Sequence, residues 1–224
     1  MARRRTGIMP MTDDSSPCLA HRLVDGHPVD PETARDVARF RRAERARLMA
    51  LRRAMSVAER ADASAALVAG LRQLVPLEPG RRVALYWPIR GEPDLRAWMT
   101  DADAAGVEVL LPVVVEKGAP LIFRRWNMGC DMVRGIWNIP VPAEDAAVRQ
   151  PEIVIAPLLG ADDAGYRLGN GGGYYDRTLA RLDPMPRRIG VGFSDAVLPT
   201  IYPMPWDIPM DEILLADGSH RTRQ

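Results

Sequence analysis

Between residues 165 and 177 the chain reads Gly165-Tyr166-Arg167-Leu168-Gly169-Asn170-Gly171-Gly172-Gly173-Tyr174-Tyr175-Asp176-Arg177. These thirteen residues hold five glycines, two cations, one carboxylate and two adjacent tyrosines. Successive glycines let the backbone turn its N–H groups to one side, where an anion can accept from several at once. The apolar run Ile153-Val154-Ile155-Ala156-Pro157 ahead of them reads as a buried strand. Residues 174–182 behind them have helix-forming spacing and composition. Strand, glycine loop and helix start is where α/β folds bind phosphate, because the helix N-terminus adds partial positive charge. Asp176, early in the helix, suits that dipole or the support of a metal ion beside bound phosphate. A glycine-rich turn is often only a turn. This one lacks the Gly-Lys-Ser/Thr ending of a Walker loop and the ordered GxGxxG of a dinucleotide fold. Arg167, Asp176 and both tyrosines, at fixed offsets, set it apart from a plain turn.

Several elements must position this loop. Asp30-Pro31-Glu32 reads as an N-cap, a first-turn proline and a dipole-matched glutamate, opening a helix to about Ala54. Val37, Phe40, Leu48 and Leu51 are its core-facing candidates, and Arg41 and Arg45 share one face. Such arginine-rich helices are usually solvated. Ser56-Val57-Ala58-Glu59 is a capping box for a second helix to about Val75. Val83 to Trp87 reads as a buried strand ended by Pro88, and Glu92 follows just past its C-terminal end, where open α/β sheets bind ligands. Asp94 can cap a third helix to about Ala105. Val107 to Leu111, closed by Pro112, completes a βαβ unit with a parallel sheet as its default. Leu121 to Trp126 is a third strand, and residues 127–150 are irregular. Ile189 to Gly192 is a strand of small residues suited to a crowded sheet centre. Residues 194–209 form a proline-broken loop, and Glu212 to Leu215 a final edge strand before a polar tail. The expected architecture is α/β: three α/β/α layers around a mostly parallel central sheet, with a helical N-terminal segment. Residues 1–28 read as a flexible polar extension and residues 29–224 as one domain.

Composition narrows the function. A chain of 224 residues, 47% hydrophobic, can bury a full core. Thirty basic residues against 29 acidic ones give a charge of +1, so no global field points to nucleic acid or an anionic membrane. Lys117 is the only lysine, so a phosphate site here must use arginine or backbone. Cys18 and Cys130 form no CxxC pair, and His21, His27 and His220 add few zinc ligands. No apolar run of about 18 residues is present, and the arginine-rich start leads into polar sequence. A cytoplasmic protein is expected, without a nucleic-acid or membrane partner, as a monomer or weak homo-oligomer.

GYRLGNGGGYYDR closely resembles the signature of the 5-formyltetrahydrofolate cyclo-ligase family, also called methenyltetrahydrofolate synthetases. LYWPIRGEPDL, GIWNIPVP and WDIPMDEIL are similar to further family segments in the right order, so the resemblance spans roughly residues 38–215. It implies closure of 5-formyltetrahydrofolate to 5,10-methenyltetrahydrofolate with ATP as co-substrate and magnesium. The formyl oxygen, a poor leaving group, would first be phosphorylated and then displaced. By resemblance, Arg167, Leu168, Gly169, Asn170, Gly171, Gly172, Gly173, Tyr174 and Tyr175 form the ATP-phosphate loop, with Arg41 and Arg45 reaching it from the first helix. Arg167, Tyr174 and Asp176 are its implied catalytic residues. Asn170 to Tyr174 also border the reduced folate, with Trp87, Glu92 and Trp137 as further folate contacts. Asp176 and Asp207 are the implied magnesium ligands.

Three positions depart from the family pattern. Arg41 replaces a usual lysine, Gly172 stands where many members carry lysine, and Trp206 precedes Asp207 where a polar residue is more usual. Two other functions therefore compete: a folate-binding homologue without catalysis, and a ligase acting on another formylated substrate. A nucleic-acid reading of the arginine-rich N-terminus lacks a stacking-plus-basic motif.

Overall fold

In the computed structural model of the chain, residues 22–24 and 26–223 are described. Residues 1–21, 25 and 224, including Cys18 and His21, lie outside them, and with them most of the expected extension. The described part of residues 1–28 belongs to a short antiparallel hairpin, β1 (Arg22–Val24) with β2 (His27–Val29). Helix α1 (Pro31–Ala54) starts where the sequence indicates, the Asp30 carboxylate accepting the Thr33 N–H at 2.8 Å. Helix α2 (Val57–Leu74) carries both halves of the Ser56/Glu59 capping box.

The central sheet has seven strands: β3 (Arg82–Ala84), β4 (Glu108–Val113), β5 (Ile122–Trp126), β8 (Ile153–Pro157), β11 (Arg187–Gly192), β12 (Glu212–Leu215) and β13 (His220–Thr222). Outside it, β6 (Met132–Arg134) pairs with β7 (Pro140–Pro142), and β9 (Gly160–Ala161) with β10 (Arg167–Leu168). Helix α3 (Arg96–Ala104) crosses from β3 to β4, and α4 (Tyr174–Leu179) follows the glycines. The spatial order is β13-β12-β11-β8-β3-β4-β5. The inner neighbours run parallel, and only β5 and β13 at the edges run antiparallel to theirs.

Alternation along the strands separates two cores. Val83, Val109, Ile153 and Ile155 face α2 and α3, meeting Leu67, Leu71, Trp98 and Met99. Ala84, Leu110, Val154 and Ala156 face the other way, toward Leu179 of α4 and Met210. Gly190 and Gly192 lie where strands and loops crowd: a Cβ at Gly192 would sit 2.3 Å from Leu158.

Several boundaries differ from the sequence reading. β3 ends at Ala84 rather than Trp87, and β4 runs through Pro112 instead of stopping before it. The Leu110 carbonyl accepts from the Leu85 N–H, so position 112 faces the same side, beyond the end of β3. A missing N–H there removes no ladder bond. Leu95, not Asp94, is the cap of α3, and the Asp94 carboxylate instead grips Arg96 through its N–H and guanidinium. The irregular 127–150 region contains the β6–β7 hairpin, and β13 rather than β12 is the sheet edge. On α1, Leu51 is 40% exposed whereas Arg41 is only 9% exposed and Arg52 is also buried. No helix among the described residues is long and apolar enough to cross a membrane.

Candidate active site

From β3 the chain moves outward through β4 and β5, then returns to place β8 on the other side of β3. Connections leaving β3 and β8 therefore diverge, and a crevice opens at the carboxyl ends of these two strands. The chain has a cleft of about 1300 Å³ there. The segment after β3 supplies Trp87 and Glu92, and the segment after β8 supplies Arg167, Gly169 to Gly173 and Asp176. Arg41, Arg45, Trp137 and Asp207 also line it, so nearly all the residues singled out in the sequence meet in one place. Leu168 does not: it is buried with Leu48, Leu159, Leu198 and Ile201 beneath the loop.

The glycine loop is shorter than the sequence suggests. Gly165 belongs to the β9–β10 turn, with φ +84° and its carbonyl accepting the Met210 N–H at 2.8 Å. The loop proper is residues 169–173, with positive φ at Gly171 and Gly173. Among the described residues, the N–H groups of Asn170, Gly171, Gly172 and Gly173 have no acceptor. Arg45 Nε donates to the Gly169 carbonyl at 2.8 Å. Burial, and then the neighbouring Arg41, lower the pKa of Arg45, with Arg167 adding to the effect. Cations crowded this way are stabilised by an incoming anion.

Tyr174 ties the loop to two other walls. Its hydroxyl accepts the Gly118 N–H at 3.0 Å, and its ring meets Trp137 edge-on at 5.4 Å. Trp137 is 55% exposed, on the connection between β6 and β7, with φ of +57°. A left-handed tryptophan is a backbone outlier of the kind found at ligand sites. Read by itself, Trp137 would pass for core; the structure leaves it exposed at the cleft. Tyr175 lies under the Arg167 guanidinium at 4.8 Å, and burial raises its pKa. Trp87 is covered by Arg96 at 5.5 Å.

Glu92 is 8% exposed. It accepts the Ile89 N–H at 3.0 Å and the Asn170 amide at 3.1 Å. Burial raises its pKa, and the Ile89 N–H, Arg52 and Asn170 pull it partly back. The folded protein therefore keeps a proton there that the unfolded chain releases above its ordinary value of 4.5. This term should weaken stability as pH rises from that value through the folded one. Glu92→Gln, neutral throughout, is expected to gain melting temperature relative to the parent across this window, in scans from about pH 4 to about pH 8. A constant difference between the two curves would show that Glu92 titrates normally.

The carboxylates assigned to magnesium by resemblance differ. Asp176 accepts the Ile208 N–H at 3.2 Å and an Arg167 Nη at 3.3 Å, both long bonds that leave lone pairs over. It fits a cation held by one carboxylate with phosphate oxygens and water. Asp207 does not fit. Both its oxygens are taken by the Arg41 guanidinium, and one also accepts the Met204 N–H at 2.6 Å. The same pairing revises Arg41, which further donates to the carbonyls of Ile201 and Tyr202, each at 2.8 Å. It fastens the loop bearing Asp207. No cluster of three or more His, Cys, Asp or Glu side chains suited to a metal occurs among the described residues.

Three contributors escaped the sequence reading. Arg52 is buried against the Leu158 carbonyl at 2.8 Å and adds positive charge near Glu92. Tyr86 and His27 also line the cleft, His27 from the N-terminal hairpin. Only the i, i+4, i+7, i+11 spacing of Arg41, Arg45, Leu48 and Arg52 along one face of α1 signalled any of this.

Residues 37–216 match the model of the 5-formyltetrahydrofolate cyclo-ligase family. The chain is 32% identical over 144 residues to the 5-formyltetrahydrofolate cyclo-ligase of Mycolicibacterium smegmatis, covering 60% of this chain and 73% of that protein. It is 28% identical over 145 residues to the Escherichia coli K12 protein of the same name, covering 62% and 80%. The NMR structure of Aquifex aeolicus 5,10-methenyltetrahydrofolate synthetase superposes with a TM-score of 0.70 at 29% identity, covering 82% of this chain and 92% of that one.

Proposed function

This chain belongs to the 5-formyltetrahydrofolate cyclo-ligase family, and on that premise we propose that it closes 5-formyltetrahydrofolate to 5,10-methenyltetrahydrofolate, with ATP as co-substrate. The observation that carries the reading is the Asn170–Glu92 hydrogen bond of 3.1 Å. On this reading it joins the loop that would bind phosphate to the buried carboxylate that would meet the folate, which supports holding both substrates in one cleft. Direct phosphoryl transfer between them requires that proximity.

In the proposed reaction the formyl oxygen attacks the γ-phosphorus and ADP leaves. N10 then attacks the activated formyl carbon. Its proton is lost and the carbon–oxygen bond breaks, releasing phosphate and leaving the methenyl bridge. Arg45, Arg167 and the N–H groups of residues 170–173 hold the phosphates and oppose their charge. Glu92 orients the pterin by accepting from its N–H groups, between the walls supplied by Trp87 and Trp137. Asp176 would hold Mg2+, which supplies charge neutralisation on the phosphates.

Purified protein given 5-formyltetrahydrofolate, ATP and magnesium should form the methenyl chromophore, with one ADP released per product. Omitting ATP should stop it. Folate binding without ATP consumption would favour a binding homologue instead. Turnover of another formylated compound, but not this one, would move the substrate and keep the chemistry.

A further inference from the structure

Arg177 follows Asp176 in the glycine-loop segment and has no part in the reading above. Its side chain folds back over the loop. Nη2 donates to the Gly172 carbonyl at 2.5 Å, and the guanidinium lies 5.1 Å from the centre of the Tyr174 ring. Nε is buried and has no acceptor among the described residues. A Cβ at Gly173, four residues earlier, would come 2.5 Å from Arg177 Nη1, so a side chain there would push the guanidinium aside.

The arginines of the cleft divide by partner. Arg41 is paired with Asp207, whereas Arg167 meets Asp176 only at 3.3 Å, and its buried Nε, like that of Arg177, has no acceptor among the described residues. Arg90 and Arg181 line the cleft from exposed positions. Arg45 and Arg177 both grip loop carbonyls, of Gly169 and Gly172, and neither has a carboxylate partner among the described residues. A guanidinium that meets only a neutral carbonyl keeps its full charge, and a buried donor without an acceptor is costly until an anion supplies one.

We propose that Arg177 is a polyphosphate-binding residue, gripping the β- and γ-phosphates of the nucleotide from one end of the glycine loop while Arg45 holds the other. The planar fork suits two phosphate oxygens at once. The proposal rests on the nucleotide-using reading above, and it is tested by binding rather than by turnover. Arg177→Gln keeps a donor for the Gly172 carbonyl and removes the charge. It should raise the Kd for ATP and ADP roughly 10- to 100-fold. Affinities for AMP, adenosine and 5-formyltetrahydrofolate should stay unchanged, and Arg177→Lys should recover part of the loss. Equal ATP and ADP affinities in parent and Arg177→Gln would overturn it. So would a uniform loss for ATP, adenosine and folate with a lowered melting temperature, which would make Arg177 a brace for the loop. A parent protein that binds ATP and shows this nucleotide-selective loss, yet forms no methenyl product, would uphold Arg177 and sink the proposed reaction.

Discussion

Asp176→Asn is expected to lower kcat for cyclisation by about 10²- to 10³-fold, the scale of removing one charge-stabilising group from a transition state. The substitution keeps side-chain shape and an oxygen able to accept the Ile208 N–H. It removes the negative charge that faces Arg167, and with it the carboxylate that fits a cation beside the phosphates. The fold should survive, because the pair broken here is a single long contact of 3.3 Å. Steady-state rates across a magnesium series, beside a melting curve, check both halves. An unchanged kcat with an unchanged magnesium requirement would remove Asp176 from the reaction. Asp176→Glu should retain more activity than the amide, since charge survives although its position shifts.

What the sequence made legible is what local chemistry decides. The Asp30 cap and the Ser56/Glu59 box act within four residues, and both helices begin where those signals stand. The strand at 153–157 is a continuous apolar run buried on both faces, so its limits follow from its own residues. Strand ends set by neighbours were not legible. β3 stops at Ala84 although its partners β4 and β8 run on, and β4 passes through Pro112 because β5 stays paired with it to Val113, which no property of Trp87 or Pro112 reveals. The β9–β10 hairpin likewise hid Gly165 among the loop glycines.

The site divides in the same way. The glycine loop is a local motif and could be read directly. Asn170 meets Glu92 across 78 positions, and Arg41 meets Asp207 across 166. Periodicity on α1 identifies a face but not its occupant. The face therefore seemed to need Leu51 inward and arginine outward, whereas carbonyls of Leu158, Ile201 and Tyr202, together with Asp207, make it a polar seat for arginine. Buried guanidinium groups are tolerated only where such acceptors converge.

That seat makes Arg41 a residue whose loss should cost the fold heavily. Arg41 and Asp207 side chains are only 11% and 10% exposed. Arg41→Ala would leave the Asp207 carboxylate buried without its counter-charge and the Ile201 and Tyr202 carbonyls without their donor. Breaking a buried ion pair from one side typically costs about 3–5 kcal/mol, and that loss of unfolding free energy is expected in a urea or guanidinium titration. Arg41→Lys should recover little of it, because one ammonium cannot span two carboxylate oxygens and two carbonyls. In an Asp207→Ala background the further loss on Arg41→Ala should shrink, since the counter-charge has already gone and only the two carbonyl contacts remain. A role in gripping phosphate would give the opposite pattern. Stability would then fall by less than about 1 kcal/mol, the range of exposed ion pairs, while ATP affinity dropped and folate affinity held. The two patterns separate a clamp that shapes the cleft from a cation that serves its ligand.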